Sequence, residues 1–101
     1  MDQQSYDAII KEVDELIEKS HKIEKLLIDN YTKLSETDNE IDKIVTDVSA
    51  NKENINKYAV SVNVLQFDSM MLKGRNKKYI NELRYISKRI SDLKCMLVSN
   101  V

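Results

Sequence analysis

The sequence contains no proline and no tryptophan, and only one glycine, Gly74, one cysteine, Cys95, and one histidine, His21. With a single glycine and no proline, the chain has few of the residues that usually punctuate turns, and a glycine-rich phosphate loop is excluded. A lone cysteine excludes an internal disulfide framework and fits a reducing compartment. Apolar runs stay short, as at Leu26-Leu27-Ile28, far below the roughly 20 residues that span a bilayer. The opening residues, MDQQSYD, are acidic and polar and lack the charged-then-apolar layout of a signal peptide. These absences point to a cytoplasmic protein without a membrane-spanning segment.

What is abundant is charge and aliphatic side chains. The 101 residues leave room for one domain, with 33% charged residues and a net charge of only -1. The balance is uneven along the chain. Residues 1–72 carry eight Lys/Arg against fifteen Asp/Glu, a balance of -7, and residues 73–101 carry eight against two, a balance of +6. Such a split favours laying a basic segment beside an acidic one, within a folded-back chain or between antiparallel neighbours.

The apolar residues recur at alternating steps of four and three. Starting from Ile9 and ending at Asn100, 20 of the 27 positions reached are apolar or tyrosine. A spacing of 3.5 residues keeps one stripe of a helix facing a neighbour through a left-handed supercoil. The fold class expected is therefore all-α, a long heptad-repeat coiled-coil helix. In heptad letters, Val13, Leu27 and Leu34 are a positions, and Ile9, Leu16 and Ile23 are d positions. The stripe predicts a partner-binding seam of Leu16, Ile23, Leu27, Leu34, Ile41, Ile44, Val48, Ile55, Val62, Leu65, Leu83, Ile86, Ile90, Leu93 and Leu97.

Three segments could interrupt the helix: residues 35–40, where Thr37 and Glu40 have capping-box spacing; residues 49–54, rich in asparagine; and residues 73–76, which hold Gly74. The heptad phase is the same before and after all three, which argues for continuity through the first two. Gly74 is the expected hinge, because the charge balance also changes sign there. The organisation expected is one coiled-coil unit over 1–101, with an acidic long helix over about 6–72 and a basic helix over about 77–98, hinged or folded back near Gly74.

Residues 58–72 depart from a simple seam, since Val60, Val64, Phe67, Met70 and Met71 fall outside the a and d positions. A helix apolar on several faces is usually buried among more than one neighbour. The alternation of Val60, Val62 and Val64 with polar residues leaves a short β-strand as the alternative.

No catalytic constellation accompanies this pattern. His21 sits at a b position, where a solvated side chain is the ordinary reading, and Cys95 sits at an f position with no second thiol or imidazole beside it. The carboxylates are spaced as on solvated helix faces. The chain is expected to be no enzyme and to need no cofactor and no metal. Among the polar seam residues, Asn30 and Asn51 are expected to specify partners and Asn76 to accompany the hinge. The basic residues from Lys73 to Lys94 could meet nucleic acid or anionic lipid, but the apolar stripe they flank favours pairing with acidic helices.

The segment INELRYISKRISDLKCML, with Leu83, Ile86, Arg89, Ile90, Leu93, Lys94 and Leu97 at heptad spacing, resembles the end of the conserved region of KxDL-motif proteins. Snapin-type subunits show a similar pattern. Ile80 and Glu82 stand where that motif has its lysine and aspartate. The resemblance covers under a fifth of the chain. It implies a non-catalytic subunit of a hetero-oligomeric coiled-coil complex for transport or positioning of endosomes and lysosomes, peripheral to their membranes. Residues 40–58 also resemble the last part of a synaptosomal-type SNARE motif, although no glutamine or arginine occupies the seam. Kinetochore and cytoskeletal scaffold subunits share the same composition. The partners expected are other coiled-coil proteins, hetero-oligomers before homo-oligomers, with nucleic acid disfavoured.

Overall fold

In the computed structural model, which describes residues 2–99, every described residue except Asp2 and Asn51 is helical. Helix α1 spans Gln3–Ala50, one 3₁₀ turn covers Lys52–Asn54, and helix α2 spans Ile55–Ser99. The all-α class with long helices is thus what the chain adopts. The segment holding Val60, Val62 and Val64 lies inside α2, so its alternation makes no strand.

Local chemistry explains where α1 begins and why it continues. The Asp2 carboxylate accepts the Ser5 N–H at 2.7 Å, and the Asp2 carbonyl accepts the Tyr6 N–H at 3.1 Å. This caps the first turn, and the bond from Ser5 holds the Asp2 carboxyl below the usual carboxylate range. Inside the helix, Thr32, Thr37 and Thr46 donate their hydroxyls to carbonyls four residues earlier, at 2.9–3.1 Å. Their side chains are thereby satisfied without breaking the backbone ladder. Thr37 is mid-helix, not a cap.

The chain reverses at Asn51, which corrects the hinge expected at Gly74. Asn51 is extended (φ -147°, ψ 111°), and its side chain accepts the Glu53 N–H at 3.1 Å. The Asp47 carbonyl in the last turn of α1 accepts the Asn51 N–H at 3.1 Å and also the Asn54 side-chain amide at 3.2 Å. Tyr58 then donates its hydroxyl to the Asp47 carboxylate at 2.7 Å, tying α2 to α1. No described non-glycine residue has a positive φ, so this reversal needs no glycine; it needs an asparagine that can cap. Gly74 lies well inside α2, and the helix boundaries at Ala50 and Ile55 replace those expected at 72 and 77.

Why the heptad phase survives the turn follows from symmetry. In an antiparallel hairpin each d position faces an a position, and reversal about Glu53 pairs Val48 with Tyr58, Ile44 with Val62, Ile41 with Leu65 and Leu34 with Leu72. One unbroken phase is therefore compatible with a fold-back, and continuity of phase was no evidence against a loop there.

The chain divides into two compact units, Met1–Leu26 with Lys78–Val101, and Leu27–Lys77. The first pairs the start of α1 with the end of α2; the second is the hairpin around Asn51. In the hairpin, residues 27–50 carry two Lys/Arg against six Asp/Glu and residues 55–77 carry four against one, so an acidic helix lies beside a basic one.

Gly74 is exposed, and a Cβ added there would meet nothing within 4 Å. With no backbone or packing demand for glycine, Gly74→Ala is expected to stabilise the fold by about 1 kcal/mol through helix propensity. Thermal denaturation followed by circular dichroism should show a melting temperature higher by several degrees; a lower one would contradict a continuous α2.

Candidate functional site

Burial follows the heptads closely. The buried hydrophobic residues are Val13, Ile23, Leu27, Ile86 and Leu93, and the buried polar residues are Ser69 and Asn76. All seven occupy a or d positions. Of the residues expected to form the seam, Ile23, Leu27, Ile86 and Leu93 are buried, while Leu16, Leu34, Ile41, Ile44, Val48, Val62, Leu65, Leu83, Ile90 and Leu97 are half-buried. Ile55 is exposed, because it stands at the turn. Within each unit the seam is covered first by the other helix of the same chain.

The first unit is cross-linked electrostatically at its flank. Arg89 Nε donates to Glu12 Oε1 at 3.0 Å, and a second, longer bond of 3.4 Å joins Nη2 to Oε2. Both are g positions, the place where paired helices exchange charges. The hydrogen bond that Arg89 donates to Glu12, and then the Glu12 charge, raise the Arg89 pKa above its ordinary value. Sequence reasoning expected the basic residues around Arg89 to pair with acidic helices but named no carboxylate for it; that carboxylate lies 77 residues away, and nothing local signals it.

Polar seam residues take roles different from those expected. Asn51 is the cap at the turn and is exposed. Asn76, expected at a hinge, is 4% exposed within α2, and neither its Nδ2 nor its Oδ1 has a hydrogen-bond partner among the described residues. Symmetry about Glu53 sets half-buried Asn30 in its layer, and likewise Thr37 opposite Ser69. Ser20 in the first unit is satisfied locally, donating to the Ile17 carbonyl at 2.7 Å.

Two helices do not cover all the apolar surface. Large side chains left exposed include Ile28, Tyr31, Val45, Ile55, Val60, Val64, Phe67, Met70 and Met71, all in the hairpin unit. Six of them, Val45, Ile55, Val60, Val64, Phe67 and Met71, fall in two places, and Ile28, Tyr31 and Met70 lie elsewhere. One is an open groove along the e-position edge of the hairpin, where Val45, Ile55 and Ala59 flank Ile44, Val48, Tyr58 and Val62. The other is the outer face of α2, where Val60, Val64, Phe67 and Met71 lie. His21 and Cys95 are exposed. Among the described residues, no group of three or more His, Cys, Asp or Glu could hold a metal ion, and no helix is long and apolar enough to cross a membrane.

No family model matches the sequence, and no curated protein or solved structure is detectably similar to it. The surface itself must carry the functional argument.

Proposed function

We propose that the chain is a non-catalytic subunit of a coiled-coil complex, binding helices of other proteins. One observation carries the reading: among the described residues five hydrophobic side chains are buried, against fourteen large ones exposed. Single exposed apolar residues are ordinary on any protein, but here they gather beside a half-open seam. A third and fourth helix laid along the hairpin would complete the burial, as in helical bundles. Stability supports the same reading, since so small a core leaves a domain of this length marginal alone.

The preferred setting is an adaptor complex of endosomes or lysosome-related organelles, with the chain cytoplasmic and peripheral to the membrane. Its support is the likeness of residues 80–97 to KxDL-type and snapin-type subunits. The SNARE-type reading ranks lower, because residues 40–58 straddle Asn51 and a bundle helix of that kind would have to run straight through the reversal.

Affinity purification from native cells followed by mass spectrometry tests the setting. Recovery of lysosomal-adaptor subunits supports it, and recovery of fusion helices overturns it. The groove has its own test. Val45→Glu should leave helicity intact, since Val45 is 56% exposed, yet reduce co-purifying chains by about tenfold or more, the effect of removing a central apolar anchor. Undiminished recovery would remove the groove from the binding surface.

A further inference from the structure

The hairpin keeps one heptad phase through its turn, and nothing about a turn requires it. Tyr58 follows its layer mate Val48 by ten residues, and about one spacing in seven leaves both helices on a single repeat. A longer or shorter loop would fold back equally well with the two stripes out of phase. The turn itself is slight. Between α1 and α2 the residue outside a helical conformation is Asn51, since Lys52–Asn54 already form a 3₁₀ turn. Residues 49–54 include no glycine or proline, and no described residue has a positive φ. Exposure singles out the same place. Of the a and d residues in Leu27–Lys77, Asn51 and Ile55 are the two that are exposed; the rest are buried or half-buried.

We propose that this turn is a hinge through which two copies of the chain exchange α2. Rotating Asn51 from its extended conformation (φ -147°, ψ 111°) into the α region joins α1 to α2 as one helix with one stripe. A second straightened copy then lies antiparallel on that stripe, a domain-swapped pair with an isologous interface. Symmetry fixes the contacts. The layers of the hairpin are symmetric about Glu53, so the exchanged pair remakes each of them between copies: Val48 with Tyr58, Ile44 with Val62, Ile41 with Leu65, Asn30 with Asn76. A twofold axis at residue 53 adds two layers that the hairpin lacks, in each of which Ile55 of one copy meets Asn51 of the other. Ile55, 58% exposed in the hairpin, is thereby covered. The same axis brings the two Lys52 side chains, at e positions, to one edge. That like-charge pair opposes the exchange only weakly, because exposed charges are screened.

Two quantities set the balance. The folded-back form has the advantage of a tether, equivalent to an effective concentration on the order of 1 mM for a short connection. Exchange gives up the Asn51 cap on the Glu53 N–H and the bond from the Asn54 amide to the Asp47 carbonyl. It gains a continuous backbone ladder and two covered isoleucines, whose burial tightens the pair by roughly one to two orders of magnitude. The dimer is therefore half-formed at roughly 10–1,000 μM. Its seam is the one the hairpin already uses, and the exchange does not depend on the complex proposed above.

Sedimentation equilibrium of the purified full chain, refolded at concentrations across this range, tests the exchange. Wild type should pass from monomer to dimer. Asn51→Leu removes the cap and puts an apolar side chain into the two new layers, so it should dimerise at a concentration at least tenfold lower. Inserting two glycines between Lys52 and Glu53 lets α2 fold back as before but puts the two stripes out of phase on a straight helix. That chain should stay monomeric and keep its helical circular dichroism spectrum. Topology is read in a chain carrying Ile44→Cys and Val62→Cys in a Cys95→Ser background, oxidised after equilibration. The disulfide should lie within one chain in dilute samples and between chains in the dimer. A monomer at every concentration, dimerisation indifferent to both Asn51→Leu and the insertion, or a dimer whose disulfides all lie within single chains would each overturn the proposal.

Discussion

Leu93→Ala is expected to remove most of the stability of the helix pair formed by the chain's two ends, with a loss of about 2–5 kcal/mol. Among the described residues Leu93 is the most deeply buried side chain, at 1% exposure, and the other buried hydrophobics described in its unit are Val13, Ile23 and Ile86. Truncation removes a transfer contribution and leaves a cavity between two helices that have few other contacts with which to collapse onto it. The pair Arg89–Glu12 cannot compensate, since both partners are over two-fifths exposed and such ion pairs contribute little in water. Urea denaturation should show a much lower midpoint, and amide exchange should report fraying first in residues 78–99. Leu26→Ala is the comparison: it sits outside the seam at 46% exposure and should cost well under half as much. Equal losses at the two sites would mean that the heptad phase does not define the core.

The phase was the most legible feature of the sequence, for a physical reason. Burial in a two-helix unit is decided by angular position around each helix, and angular position is what a repeat of 3.5 residues encodes. Chain direction is not encoded in that way. A stripe reads alike whether its second half continues or turns back, so the heptads by themselves could not reveal the fold-back at Asn51. The turn was missed because its chemistry is asparagine capping and one extended residue, whereas attention to glycine selected Gly74, a solvated mid-helix position. The charge asymmetry was the better clue. It anticipated an acidic segment lying beside a basic one, although the sign change at residue 73 does not coincide with the end of a helix. On the interaction surface, Val60, Val64, Phe67 and Met71 were recognisable as lying off the seam, while the groove flanked by Val45 and Ala59 exists only once α1 and α2 are paired.

Asn76→Leu is expected to act in the opposite direction to Leu93→Ala. A buried amide with neither atom hydrogen-bonded carries an uncompensated desolvation cost of about 1–3 kcal/mol, and leucine at an a position would add apolar burial instead. Thermal melts should therefore show a clear gain in stability. The gain should come with a loss of definition. An asparagine layer disfavours registers that bury its amide against leucine, and here the layer mate is Asn30, itself half-buried. Shifting α2 by one heptad against α1 would set Asn76 against Ile23 with Asn30 against Ser69, or Asn76 against Thr37 with Asn30 against Leu83. In the leucine variant those alternatives cost less, so amide-exchange protection in the hairpin should become less uniform even as the melting temperature rises. Asn30→Leu with Asn76→Leu should extend both trends. A fall in melting temperature for Asn76→Leu would show that the amide is satisfied in solution, by water or by Asn30, and that the layer stabilises the hairpin as well as aligning it.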